Sequence, residues 1–517
     1  MARIKIQRFS RGLVIVTVIM FMPINVCSQE KLDTRGKNSR LEIKPDKILC
    51  QGKEYDGMRG TLYVPESRAK AESGIIELPV VVVKSINPNP DYPIFQFTGG
   101  PGLSNIAPGE HINEEDLKNH DVVEVGYRGV DGTPNLKHPL FDEIFRTPDM
   151  LSRSSLKKIG QIATQAVKEL QAKGIDVAEY NIQNVVEDME VARAALGYEK
   201  INITGGSYGG AVVMVYCLRY PERIHRAIMI EAAFPYDIAF GRPEEFDKRL
   251  NHLNQLWRKD PEALKRSPDI VQTMRNVLKN MPQEWNGLPI DPSKVRFMTY
   301  FGITSQRSYV NMTFDAYVCA ENGDFTNIAL LSMMYDHFFA KMGNTGDLLA
   351  KTFSSVTNPD RDFISELENR DSVIGSPLSM LAWGGFQYSN WPVKPFPVEY
   401  PELQKSNVET LIIYGSKETG EPFREKYADA FTNARWVILD DLAHMDIWTI
   451  TGQVVHHLML RFLDAGLADT SKIVTPSKWN FTPEVTFQQT FEQITQQSDK
   501  TKKTGYNADN NETLEKR

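Results

Sequence analysis

Seven short apolar runs recur along this chain: Leu78–Lys84, Pro93–Thr98, Asp121–Val125, Lys200–Thr204, Arg226–Glu231, Glu409–Tyr414 and Arg435–Leu439. Each has the length of a strand, and most are apolar throughout rather than alternating, as strands covered on both faces require. Helical patterns separate them. Ahead of the fourth run, Val185, Met189, Ala192 and Leu196 recur at spacings of four, three and four, which puts one apolar face on a helix. Gly197 then closes that helix in a left-handed conformation. Strands alternating with helices predict βαβ units and a mostly parallel sheet in an α/β fold.

The sheet pattern stops after Glu231 and resumes at Glu409. Between them the chain turns helical and rich in Met, Phe and Tyr, which predicts a helical lid inserted between two core strands. Tyr300, Phe301, Tyr335, Phe338, Phe339 and Trp383 are expected to form that insertion's own core. The predicted organisation is a core over 29–235, a lid over 236–404, the rest of the core over 405–470, and a polar tail over 471–517. The last twenty or so residues hold too few apolar side chains to bury anything and are expected to be disordered.

Composition narrows the function. The chain has 517 residues, 41% of them hydrophobic, and a formal net charge of −7. That charge argues against general affinity for nucleic acid or anionic membrane. Arg3, Lys5, Arg8 and Arg11 precede the short apolar run Leu13 to Met22, and Val26-Cys27-Ser28 offers small residues for cleavage. Residues 1–28 therefore read as a signal peptide, with Gln29 the first mature residue. Lipid attachment through Cys27 is the alternative. No stable membrane span is expected, because the run is too short. Export permits disulfides, and Cys50 with Cys319 is the pair to test, while Cys217 reads as a buried apolar residue. No Cys/His spacing suits a metal site, and no cofactor is implied.

The chemistry centres on Gly205-Gly206-Ser207-Tyr208-Gly209, a G-x-S-x-G placed after a predicted strand and before a predicted helix. Ser207 is the candidate nucleophile. A serine on so sharp a turn needs neighbours without bulky side chains. Gly99-Gly100-Pro101-Gly102 follows the second run, and Gly100 with Tyr208 supplies the candidate oxyanion N–H donors. A nucleophilic serine needs a base and an orienting carboxylate. His444, just after the last run, is the candidate base. His225 lies at the wrong end of a strand, and the adjacent His456 and His457 lie in the final helix. Glu418, in the loop after Glu409–Tyr414, is the candidate acid, with Asp440 and Asp441 its rivals.

These segments resemble the proline iminopeptidase and tripeptidyl aminopeptidase group of serine peptidases, which have the α/β-hydrolase fold. The likeness rests on Gly99 to Gly102, on Asp121 to Gly129, on Ala194 to Gly210, on Tyr220-Pro221-Glu222-Arg223 and on the Glu418 and His444 loops, and it covers about residues 50 to 465. It implies hydrolysis of peptides or amides from a free N-terminus. Glu321, in Cys319-Ala320-Glu321, matches a family region whose carboxylate holds the substrate amine. Three departures stand out: the family's loop acid is usually Asp, Gly126-Tyr127 stands where the family usually has Asp-Gln before Arg-Gly, and Tyr388 stands where many exported relatives carry a lid cysteine. The same triad would equally serve an esterase or amidase acting on small non-peptide substrates.

Overall fold

The computed structural model describes residues 39–233, 242–338, 343–356, 360–368, 371–394, 405–417, 429–476, 478–483 and 487–489. The expected signal peptide, Glu418 and the last twenty residues lie outside them. A nine-stranded sheet forms the core. Its strands are β1 (Arg40–Cys50), β2 (Lys53–Pro65), β3 (Ile75–Val83), β4 (Asp91–Phe97), β5 (His120–Val125), β6 (Ile201–Gly206), β7 (Ile224–Ile230), β10 (Glu409–Gly415) and β11 (Ala434–Leu439). A two-residue-a-side hairpin in the lid supplies β8 (Glu284–Trp285) and β9 (Leu288–Pro289). The sheet order is β1-β2-β3-β5-β4-β6-β7-β10-β11. The six strands from β5 to β11 in that order pair in parallel, and β1, β2 and β3 add an antiparallel edge.

The continuous apolar runs are explained by burial on both faces. Along β3, Val80 and Val82 join one core cluster while Val81 and Val83 join another. Likewise Phe95 of β4 faces one layer and Ile94 the other. The first face packs against the helix Tyr208–Arg219, through Val212 and Val215 among others. The second packs against the last helix, Gly452–Ala465, through Val455, Leu458 and Phe462. The helix expected before β6 runs Ile182–Ala195, and Gly197 beyond it has φ +81°.

The hairpin β1–β2 has no counterpart among the seven runs. Its outer strand has the burial pattern of an edge, with most side chains in solvent, so it carries charge where the inner strands carry valine.

Helices from Pro243–Trp257 to Pro377–Gln387 lie between β7 and β10, in the interval expected to form the lid. Asp260, Asp269 and Asp291 cap three of them at the N-terminus with side-chain oxygens. Tyr300, Tyr335 and Trp383 are buried in the lid's core. The start of the tail is less detached than its polarity suggests. Phe481 is fully buried, with ring centroids 5.3 Å from Trp257 and 6.0 Å from Phe314.

The disulfide expectation is corrected. Cys50, Cys217 and Cys319 are all free thiols. Cys50 ends β1 beside Glu124 and Asp116, and burial pushes its thiol up to about 11. Cys319 sits on the lid helix Arg307–Glu321 beside Asp315. Among the described residues, no helix is long and apolar enough to cross a membrane.

Candidate active site

Ser207 stands between β6 and the helix Tyr208–Arg219 with φ 52° and ψ −120°, a region that costs an L-residue free energy. Hydrogen bonds force it there. Its N–H donates to the Ile230 carbonyl at the end of β7 (2.9 Å), and its carbonyl accepts from Ala233 (2.9 Å) and Ala211 (3.2 Å). The turn also needs room. A Cβ on Gly209 would run into the carbonyl of Phe97, and one on Gly206 would come within 2.8 Å of Cζ2 of Trp448.

The Gly99–Gly102 loop is pressed against this elbow. A Cβ on Gly99 would lie 3.0 Å from Cβ of Ser207. Gly100 has φ +73°, and its carbonyl accepts from Leu103 N–H in a tight turn (3.1 Å). The first N–H groups of the following helix have no partner within it, and Tyr208 is the first helical residue. Gly99, the neighbour of Gly100, and Tyr208 thus both lie against Ser207.

His444 reaches the same edge of the sheet along a ladder of contacts. The residue after Ile230 is Glu231, whose Oε1 accepts the Gly415 N–H at the end of β10 (2.7 Å). Lys417, two residues on, donates its N–H to the Leu442 carbonyl (2.9 Å). Leu442 and Ala443 are buried, and the imidazole that follows them is partly exposed. Trp448 joins this loop to the elbow. Its ring lies over Gly206 and meets His444 at 5.6 Å between centroids with planes at 62°.

The rival acids have other work. Asp441 accepts from Arg307 Nη1 (2.8 Å) through Oδ2, which also accepts from the indole N–H of Trp479. Asp440 accepts from the Ser416 hydroxyl (3.1 Å). Asp446, fully buried, caps the loop from below by accepting from Ala443 N–H (2.8 Å) and Arg307 N–H (3.0 Å). Burial raises its carboxyl above the usual range. Glu418 follows Lys417 directly and lies outside the described residues. The Lys417 carbonyl accepts from Nη1 of Arg249, a lid arginine (2.7 Å).

Glu321 is not brought to this edge. It ends the helix Arg307–Glu321, exposed, with Oε1 accepting from Asn276 (2.9 Å). The other end of that helix is the one bonded to Asp446. At 1.5 Å per residue the two ends stand roughly 21 Å apart.

Residues missed in the sequence reading also converge here. Glu231 is 1% exposed at φ 46°, and a carboxylate directly after the apolar residues 227–230 was its signal. Trp448 and Asp446 lie only four and two residues beyond His444. Asp347, from the lid, has no local signal at all. Among the described residues, no group of three or more His, Cys, Asp or Glu side chains could hold a metal ion.

Residues 92–315 match the model of a family described as having the alpha/beta hydrolase fold. No curated protein matches the chain. Among solved structures it is similar to an epoxide hydrolase without ligand, at 12% identity and TM-score 0.34, covering 82% of this chain and 99% of that one. A serine hydrolase from the polyaromatic-hydrocarbon-degrading bacterium Cycloclasticus zankles is similar at 14% identity and TM-score 0.36, covering 83% and 100%. A meta-cleavage product hydrolase from Pseudomonas fluorescens IP01 is similar at 13% identity and TM-score 0.35, covering 82% and 98%. With its parallel sheet, its serine turn after β6 and its histidine loop after β11, the chain has the α/β-hydrolase fold.

Proposed function

We propose that this chain is an exported serine hydrolase that cleaves peptides or amides from a free N-terminus. Ser207 is the nucleophile, His444 its base and Glu418 the orienting acid. Ser207 Oγ attacks the scissile carbonyl as His444 takes its proton, and the N–H groups of Gly100 and Tyr208 receive the oxyanion. The imidazolium returns the proton to the leaving amine, and water then releases the acyl group from Ser207. The single observation that carries this reading is the backbone of Ser207, held at φ 52° beside the Gly99–Gly102 loop.

The free N-terminus rests on the family resemblance, supported by a helical insertion whose Asn344 and Asp347 bond Gly102 close to the elbow. Glu321 is too far along its helix to hold the amine, so another lid acid carries that role. The test has two stages. A fluorophosphonate probe should label wild type and leave Ser207→Ala unlabelled. Free and N-acetylated forms of one peptide are then compared, and equal cleavage of both would end the aminopeptidase reading.

One observation favours a second reading, an esterase or amidase for small apolar substrates. Leu103, Met445 and Trp448 are each more than one-third exposed, and all three border the elbow, the Gly100 turn or the His444 loop. Faster turnover of short acyl esters than of any aminoacyl substrate would establish it.

A further inference from the structure

The oxyanion loop is held from two sides. On the core side, Thr98 N–H donates to Asn105 Oδ1 (2.7 Å), and the Tyr127 hydroxyl donates to the Thr98 carbonyl (3.1 Å). On the other side the partner is the lid. Gly102 N–H donates to Asp347 Oδ2 (2.9 Å), and the Gly102 carbonyl accepts from Asn344 N–H (2.7 Å). Both backbone groups of Gly102, two residues after Gly100, are therefore fixed by one short lid segment 245 residues away. The approach is close enough to need glycine, since a Cβ on Gly102 would lie 2.6 Å from the Asn344 carbonyl.

Asp347 is wholly buried on the helix Thr345–Phe353, and one turn later Lys351 donates from Nζ to the same Oδ2 (2.7 Å). Lys351 Nζ also sits 4.9 Å from the centre of the Tyr127 ring and 5.4 Å from that of Tyr208, the residue after the nucleophile. Burial pushes the Asp347 carboxyl upward, and the Lys351 charge pulls it back. Asp347 Oδ1 has no hydrogen-bond partner among the described residues. A buried ion pair needs further hydrogen bonds to offset its desolvation, and one that joins this pair to the core comes from a main-chain N–H of the oxyanion turn.

We propose that Asp347, paired with Lys351, is a positioning residue that holds the Gly99–Gly102 turn in the geometry that aims its N–H at the oxyanion, so that docking of the lid and completion of the oxyanion hole are one event. This rests on the serine hydrolase reading above. Asp347 touches no substrate. It acts through the Gly102 peptide.

The experiment uses the full-length enzyme with a p-nitrophenyl ester, with phenylboronic acid as a mimic of the tetrahedral intermediate, and with thermal melting. Asp347→Ala should lower kcat by about 10²–10³, the loss seen when one oxyanion donor is removed, with KM within about twofold. Boronate affinity should fall in parallel. Asp347→Asn should recover most of the rate, because the amide oxygen still accepts from Gly102. Asp347→Ala leaves Lys351 buried and unpaired, so Asp347→Ala/Lys351→Met is measured as well. That double variant should regain melting temperature while its kcat stays low. A kcat that returns with melting temperature in the double variant, or boronate binding unchanged in a folded Asp347→Ala, overturns the proposal and leaves a structural ion pair. Wild type that neither turns over the ester nor reacts with a fluorophosphonate fails the hydrolase reading instead, which keeps the two failures distinct.

Discussion

Trp448 stands edge-on to His444, with ring centroids 5.6 Å apart, while the far side of the indole fills the space above Gly206. One side chain thus braces the base and roofs the turn that bears the nucleophile. An aromatic pair of this kind is worth about 0.5–1.5 kcal/mol, so Trp448→Ala should lower kcat about 3- to 10-fold by freeing the imidazole. Gly206→Ala should displace the indole, since the new methyl meets it at 2.8 Å. The two changes then share one cause, and the double variant should be scarcely worse than the poorer single one in a kinetic double-mutant cycle. Strict additivity would show that Trp448 does not link the two. Gly209→Ala differs in kind, because its methyl meets the main chain at Phe97, which cannot swing aside, and it should lose folded protein.

Ser207→Ala should lower kcat by several orders of magnitude with little change in melting temperature. The hydroxyl is partly exposed, and the strained turn is held by main-chain bonds that alanine keeps. A residual rate of about 10³–10⁴ over water is expected from the oxyanion donors and binding alone. Near-normal turnover would remove Ser207 from the mechanism.

Glu418→Gln should lower kcat by up to about 10⁴, because an amide favours the wrong imidazole tautomer. Asp441→Asn should act chiefly on stability, since its carboxylate is tied to Arg307 and Trp479. Glu231 is the informative control. It accepts from Gly415 at the very strand end that leads to Glu418, and glutamine can accept the same bond. Glu231→Gln should therefore cost little. A loss from Glu231→Gln exceeding that from Glu418→Gln, measured by kcat across pH, would move the acid one strand inward.

The tail contributes to the lid through Phe481, which packs between Trp257, Phe314 and Trp479. Phe481→Ala should destabilise the protein by about 3–5 kcal/mol, the range for a buried phenylalanine. A melting temperature within a degree of wild type would show that the tail only rests on the surface.

Strands inside the sheet were legible because burial on both faces favours apolar residues, and the seven runs fall on β3 to β7, on β10 and on the edge strand β11. The places of Ser207, Gly100 and His444 at strand ends were legible because a sharp turn and a strand end constrain the immediate neighbours. What escaped was long-range. Glu321 looked suitable from the segment around it, but helix length carries it away from the edge where Arg307 docks. Asp347 looked like any lid acid, because the N–H it holds is 245 residues away. The hairpin β1–β2 escaped because most side chains of its outer strand meet solvent and many of them are charged.

The last prediction concerns pH and a face of the sheet remote from the lid. His456, on the final helix, approaches Asp116 Oδ1 with Nε2 at 2.7 Å, and this hydrogen bond raises the imidazole above its ordinary 6.5. Burial opposes the shift, while the Asp116 and Glu115 charges support it. A histidine whose folded pKa is raised binds its proton more tightly folded than unfolded, so low pH favours the fold. The stabilisation is complete below about 6.5, where both states are protonated, and is lost as pH rises through the higher folded value. His456→Gln removes the charge. The wild-type advantage in melting temperature should therefore be greatest near pH 5.5 and vanish in mildly alkaline solution. Its size should be at most about 1 kcal/mol for a pair that still meets solvent. His111 beside Glu124 is raised in the same sense, but it is present in both proteins and cancels from the difference. Thermal melts of the two proteins from pH 5 to 9 measure this. An advantage that grew with pH would mean that His456 is held neutral and that Asp116 does not accept its proton-bearing form.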